Sequence, residues 1–279
     1  HRSFLYSIST PLKINGEIFG DEEFRNKEAV YKKPKLNTDI NTITLLFESN
    51  KDIANLAMAH SYLNIHAPEQ KKLLIMPYLP YSRMDREIND QIFSLRYFAD
   101  ILNNMSFEKI LLADPHSKVS SDLINNLEEL NIEDIILDEI LPKIDIDFIM
   151  FPDKGAKEKY TKKYLKLCKK HKVIYGQKKR DLSNRGKIKE YSIIAEDIDL
   201  KDKSALIIDD LCSFGSTFKH ASSALKSEGV DKIYLFVTHT ENTIFQGELL
   251  DSSDIEKVFT TNSILRSQSH PKLLVIDIF

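Results

Sequence analysis

Apolar positions along the chain follow two periods. Short continuous runs read as buried strands: ITLLF (43–47), KLLIMPY (72–78), KILLADPH (109–116), FIMFPD (148–153), VIYG (173–176), ALIIDD (205–210) and IYLFVTH (233–239). Between them, residues 52–63, 94–104, 156–170 and 217–229 carry apolar side chains at the three- and four-residue spacing of an amphipathic helix. Strand and helix alternate over most of the length, which predicts an α/β architecture of mainly parallel sheets flanked by helices. An apolar strand ending in an acid recurs in each half, at Asp114 in the first and at Asp153 and Asp209–Asp210 in the second. Two similar domains are therefore expected. The break is placed in residues 141–147, which hold Pro142 and mixed charge, giving domains 1–143 and 144–279.

Composition narrows the class. A chain of 279 residues is long enough for two domains that each bury a core, and 42% hydrophobic with 29% charged residues is globular, not disordered. The net charge of −3 argues against general nucleic-acid binding, which needs a basic field. Two cysteines, Cys168 and Cys212, cannot build a disulfide scaffold and fit a reducing, cytoplasmic setting. No apolar run reaches the length of a membrane span, and no signal-peptide pattern opens the sequence, so no membrane association is expected.

The densest chemistry lies in SALIIDDLCSFGSTF (204–218). Asp209 and Asp210 fall at the carboxyl end of a strand, where open α/β sheets bind ligands. Ser213, Gly215, Ser216 and Thr217 then supply hydroxyls and backbone N–H groups at a helix start, which attracts phosphate. A carboxylate pair suited to hydroxyls or Mg²⁺, next to a phosphate cradle, points to a phosphorylated sugar. Four further segments carry reactive groups. PYLPYSRMDRE (77–87) stiffens a loop with two prolines and offers tyrosine faces, Arg83 and Asp85. DPHS (114–117) sets Asp114 and His116 two apart, which on an extended chain shares a face suited to a metal-bound water or a phosphate. FPDKGA (151–156) adds Asp153 at another strand end, an oxygen ligand of the kind Mg²⁺ prefers. YGQKKRDLSNRGKIKEY (175–191) is a basic, glycine-bearing flap able to close cations over a polyphosphate. Taken singly, each has an ordinary alternative: a Gly/Ser/Thr turn, a charged surface loop, a structural histidine, a solvated basic hairpin.

Taken in order, the segments resemble the ribose-phosphate pyrophosphokinase (phosphoribosyl pyrophosphate, PRPP, synthetase) family over nearly the whole chain. INGEIF (14–19) is similar to the family's amino-terminal Asp-Gly-Glu segment, which reaches a neighbouring subunit's ATP site; PYLPYSRMDR is similar to its adenine-nucleotide loop; DPHS resembles the segment whose histidine contacts Mg-ATP. FPDKGA, LIIDDLCSFGST and the basic flap resemble its Ser-Pro-Asp-x-Gly-Gly loop, PRPP loop and catalytic loop, and VFTTNSI with LLVIDIF its closing strands.

The resemblance implies two phosphoribosyltransferase-type domains and an active site completed by a second subunit, hence at least a homodimer. It assigns Lys178 and Arg180, with His116, to catalysis. Arg83, Met84, Asp85, His116, Asn15 and Glu17 would hold ATP. Asp209, Asp210, Ser213, Phe214, Gly215, Ser216 and Thr217 would hold ribose 5-phosphate, and His116 with Asp153 would hold Mg²⁺. Departures from the family pattern are Met84 for Gln, Ile88 for an acid, Asn15 for Asp, Ser213 for a third aspartate and Phe214 for Thr. The expected reaction is transfer of pyrophosphate from Mg-ATP to the 1-hydroxyl of ribose 5-phosphate, giving PRPP and AMP. Two rivals remain: a type I phosphoribosyltransferase that consumes PRPP, and a regulatory homologue without activity.

Overall fold

A computed structural model describes residues 6–7, 12–20, 22–181, 187–196, 198–265 and 269–278. The chain divides into two compact units, His1–Leu130 and Asn131–Phe279. The expected break at 143/144 lies inside the second unit. Residues just before it are tied there: the buried Glu133 side chain accepts the Leu167 N–H at 2.8 Å, and Lys166 pairs with Asp134 at 2.9 Å.

The first unit opens with the short strands β1 (Tyr6–Ser7), β2 (Leu12–Ile14), β3 (Glu17–Ile18), β4 (Glu22–Glu23) and β5 (Ala29–Val30), then β6 (Ile40–Leu45), helix α1 (Lys51–His66), β7 (Lys71–Ile75), α2 (Ser94–Asn104), β8 (Lys109–Ala113), α3 (Lys118–Leu123) and β9 (Leu127–Leu130). Its main sheet runs β3-β2-β6-β7-β8-β9; β6 to β9 are parallel, and β2 and β3 add an antiparallel edge. Alternate residues Asn41, Ile43 and Leu45 of β6 are buried, and α2 buries Leu95, Phe98, Ala99 and Leu102, the i, i+3, i+4, i+7 stripe its sequence predicts. Each large side chain so buried contributes about 1.5–3 kcal/mol relative to exposure.

The second unit holds α4 (Ile132–Ile135), β10 (Phe148–Phe151), α5 (Lys154–Lys163), α6 (Leu165–Lys170), β11 (Lys172–Asp181), β12 (Lys187–Ile194), β13 (Ser204–Cys212), α7 (Ser216–Ser227), β14 (Lys232–Thr240), β15 (Lys257–Thr261) and β16 (Leu273–Ile276). The strand order is β12-β11-β10-β13-β14-β15-β16, parallel throughout except for β11 with β12. All four residues of β10 are buried, as a central parallel strand requires. From β10 the chain builds to one side through β11 and later to the other through β13. That reversal creates the crevice at the strands' carboxyl ends where α/β sheets take ligands.

Two expected elements differ. The single helix over 156–170 is two helices broken at Tyr164, whose φ of −104° and ψ of 65° leave the helical region. Lys159/Lys163, Lys162/Lys166 and Lys166/Lys170 place like charges one turn apart, which opposes a continuous helix. Of the flap expected over 175–191, residues 175–181 and 187–191 belong to the antiparallel pair β11 and β12, with a bulge between Lys179 and Arg180, and residues 182–186 lie outside the described residues. Antiparallel pairing therefore carries strand structure well past Gly176. Among the described residues, no helix is long and apolar enough to cross a membrane.

Candidate active site

In the first unit, the loops after β7 and β8 meet: the Ala113 N–H donates to the Pro77 carbonyl at 2.9 Å, and Met76 N–H to Leu111 O at 3.0 Å. The segment bearing Arg83, Met84 and Asp85 and the one bearing His116 therefore leave the sheet at the same end, from adjacent strands. Arg83 and His116 are exposed, while Met84 and Asp85 are half-buried. Tyr81 stands at φ 63°, and its hydroxyl donates to Asn50 at 2.7 Å while its ring meets Phe98 edge-on at 5.4 Å, so this ring braces the loop from within. The extended-chain expectation for Asp114 and His116 is not met. β8 ends at Ala113, and Asp114 is fully buried at φ 36°, so the turn sends Asp114 inward and leaves His116 outside.

Asn15 and Glu17 lie at the opposite edge of the same sheet. Because β2 is antiparallel to β6, its end at Asn15 sits against Thr42 near the start of β6, whereas the Arg83 and His116 loops leave the ends of β7 and β8. Within one chain these two residues are apart from the other ATP candidates. Asn15 is also fully engaged in the Asn-Gly turn between β2 and β3: it stands at φ 49°, its amide donates to Lys35 O (2.9 Å) and Asn41 Oδ1 (2.8 Å), and its Oδ1 accepts from Thr42 N–H (2.9 Å). Asn15→Asp, which restores the family residue, replaces both donors with an acceptor. It is expected to lower stability by about 1–2 kcal/mol in denaturant unfolding.

In the second unit, the sequence candidates converge at the carboxyl ends of β10, β11 and β13. Asp153 caps α5, its Oδ1 accepting from Ala156 N–H at 2.9 Å, while its Oδ2 pairs with Lys178 Nζ at 3.0 Å. Burial pushes the Asp153 carboxyl up, but the Ala156 amide and Lys178 outweigh it and hold the carboxyl below its ordinary value. Lys178 is only 12% exposed along its side chain. A cavity of about 500 Å³ opens here, lined by Asp153, Lys154, Gly155, Tyr175, Gly176, Gln177 and Lys178, with the Lys157 ammonium 4.5 Å over the Tyr175 ring. Arg180 lies on β11, but its side chain falls outside the described residues.

One strand further, Asp209 and Asp210 sit near the end of β13, with Asp210 N–H donating to Asp209 Oδ1 at 3.0 Å. Ser213 pairs with the Thr243 hydroxyl at 3.0 Å. Gly215 at φ 81° then leads into α7, whose first N–H groups at Ser216 and Thr217 have no partner within the helix. Phe214 is 52% exposed beside them.

Burial and then the charge of Asp210 raise Asp209 well above the usual carboxylate value; Asp153 adds to this, and Lys159 opposes it. A carboxyl raised on folding holds its proton more tightly in the folded chain. Stability therefore falls as pH climbs from the unfolded value of about 3.9 toward the raised one, with the full cost present above it. Asp209→Asn is thus expected to raise Tm at pH 7 by about 2–4 °C while leaving it unchanged near pH 3, read by thermal unfolding at both pH values.

Among the described residues, no cluster of three or more His, Cys, Asp or Glu side chains could hold a metal. Mg²⁺, however, takes one or two carboxylates and keeps several waters, and Asp153, a carboxylate held below its ordinary value at the cavity wall, fits such a ligand.

Parallel-rich α/β units, with an acidic strand end running into a Gly-Ser-Thr helix start, define a phosphoribosyltransferase-type fold. A solved phosphoribosylpyrophosphate synthetase from Mycobacterium smegmatis shares that fold, with a TM-score of 0.74 at 17% identity over 91% of this chain and 84% of the other. Residues 178–279 match the family model of the phosphoribosyl synthetase-associated domain. The ribose-phosphate pyrophosphokinase of Sulfurisphaera tokodaii is 24% identical over 97% of this chain and 91% of its own length. That of Thermoplasma acidophilum is 30% identical over 62% and 60% respectively. Over nearly its whole length the chain is similar to ribose-phosphate pyrophosphokinases.

Thr243 and Gly247 lie outside every segment with a chemical signature, and Gly176 and Tyr191 fall in the basic segment 175–191 without a signature of their own; the positions of all four depend on strand register and on backbone approach between distant segments.

Proposed function

We propose that the protein is a ribose-phosphate diphosphokinase acting on Mg-ATP and ribose 5-phosphate. The observation that carries this reading is Lys178, held 3.0 Å from Asp153 in a cavity at the carboxyl ends of the central strands of the unit that also bears the acidic pair and the phosphate loop. Asp209 and Asp210 would hold the ribose hydroxyls, and the loop from Ser213 to Thr217 the 5-phosphate. Arg83, Met84 and Asp85 would hold the nucleotide, with Asn15 and Glu17 contributing from a partner chain in a homo-oligomer. Their place on the opposite sheet edge supports that last assignment.

The anomeric hydroxyl attacks the β-phosphorus, loses its proton as the new O–P bond forms, and AMP departs. Transfer of this kind depends on alignment and charge neutralisation more than on a strong base. Lys178 and Arg180 would stabilise the charge on the transferred group. Asp153 and His116 would hold the magnesium, which supplies further charge neutralisation when bound. The Lys178–Asp153 pair holds the ammonium at the cavity wall, where phosphate oxygens would compete for it. The cytoplasm is the expected compartment, consistent with free Cys168 and Cys212.

Offering the chain ATP with ribose 5-phosphate, and separately PRPP with a set of purine and pyrimidine bases, tests the reading. PRPP and AMP should form in the first mixture and no nucleotide in the second. The reverse result would make it a phosphoribosyltransferase, and no turnover in either would make it a non-catalytic homologue.

A further inference from the structure

We infer that Tyr191 is a positioning residue for Lys178, an inference that rests on the proposed transfer reaction. Tyr191 lies directly opposite Lys178 in the β11–β12 register, so the two side chains share a face of the hairpin. Gly176, two residues before Lys178, lies on that same face.

The Tyr191 hydroxyl donates to the Pro152 carbonyl at 2.9 Å, one residue before Asp153. It reaches that carbonyl through the space a side chain at residue 176 would fill: a Cβ on Gly176 would overlap the Tyr191 Oη and Cζ and come within 2.7 Å of Pro152 O. The absent side chain at 176 and the tyrosine at 191 are therefore complementary. Together they tie the hairpin to the loop that carries the lysine's carboxylate partner.

The phenol is half-buried, and burial, then Asp153 and Asp209, raise its pKa, so it remains a neutral hydrogen-bond donor at ordinary pH. It makes no ion pair with substrate and supplies no proton in the reaction. Its effect is geometric: it fixes β11 against the β10 loop, so that the Lys178 ammonium meets the cavity at one position instead of moving with a free hairpin. Small displacements of a charge-stabilising group are expensive in catalysis.

Tyr191→Phe tests this, because it removes one hydroxyl and keeps the ring. In the full-length protein, kcat for PRPP formation is expected to fall about tenfold, with KM for ATP and for ribose 5-phosphate each within about twofold of the parent. In a Lys178→Ala background the same substitution is expected to cost nothing further, since it acts through the lysine. Hydrogen exchange over residues 172–181 should quicken. An unchanged kcat overturns the inference, as does a tenfold loss that persists in the Lys178→Ala background or that falls on KM instead. Should the parent protein form no PRPP, the reaction itself is wrong, and the exchange measurement decides the tie alone: unchanged exchange refutes it and faster exchange upholds it.

Discussion

Lys178→Ala is expected to lower the rate of PRPP formation by about 10² to 10³ while leaving the fold intact. The ammonium is mostly buried at the wall of the 500 Å³ cavity and paired with Asp153, so it acts in a partly desolvated setting where charge is worth more than in water. Removing one such preorganised donor from a transferring group costs about 2.7–4 kcal/mol of barrier. The same change leaves Asp153 with its Ala156 amide but without its cation, so a small drop in stability should accompany the kinetic loss. Single-turnover measurements with saturating substrates separate the two, since a folded variant with a slowed chemical step distinguishes catalysis from collapse. An unaltered rate would remove Lys178 from the mechanism.

Gly247→Ala should act on the sugar side instead. A Cβ at this position would overlap the Phe214 carbonyl oxygen and lie 2.9 Å from Phe214 C, so the obstacle is backbone and cannot rotate away. The ribose-phosphate loop is held on its other flank as well: Gly215 stands at φ 81° with Leu249 Cβ 2.7 Å from where its own side chain would be, and Ser213 is tied to Thr243. With so little room, the loop must shift. Overpacking of this kind typically costs about 1–3 kcal/mol. KM for ribose 5-phosphate is expected to rise at least about tenfold, with KM for ATP little changed, since Arg83, Met84 and Asp85, the residues proposed to hold the nucleotide, belong to the other unit. Gly229→Ala is the control: its φ of 83° carries strain, but it stands past the far end of α7 with the Lys201 side chain as its nearest neighbour, so it should cost stability alone. Initial-rate kinetics and thermal unfolding on both variants check the pair.

Strands and loops were legible where burial is continuous and chemistry is local. The run from Ala205 to Ile208 reads as a buried strand, and the two acids follow within the same strand, which pairing with β14 carries on to Cys212. Asp153 was readable for the same reason, and the structure adds that it caps a helix and grips Lys178. Failures came where one backbone angle or a distant neighbour decides. The φ of 36° at Asp114 turned an expected face-sharing pair into one buried and one exposed side chain. The bond from the Asn15 amide to Asn41, twenty-six residues away, was likewise invisible in the sequence. Tyr191 gained its meaning only from the strand register and from Pro152, thirty-nine residues earlier. The apolar spacing over 156–170 is continuous, and the break at Tyr164 shows only in its backbone angles.

These failures bear on the departures from the family pattern. Ser213 stands where a carboxylate was expected, and its hydroxyl is spent on Thr243, which shapes the loop without adding charge. Phe214 exposes an aromatic ring at the phosphate loop. Both changes fall on the acceptor side, whereas Lys178, Asp153 and the acidic pair stand together in one unit.

The central claim is most directly tested by following ³¹P resonances of the purified chain mixed with Mg²⁺, ATP and ribose 5-phosphate. PRPP and AMP should appear in a one-to-one ratio, with no AMP when ribose 5-phosphate is left out. ADP in place of AMP, or no phosphorus signal that depends on the sugar, would contradict the account.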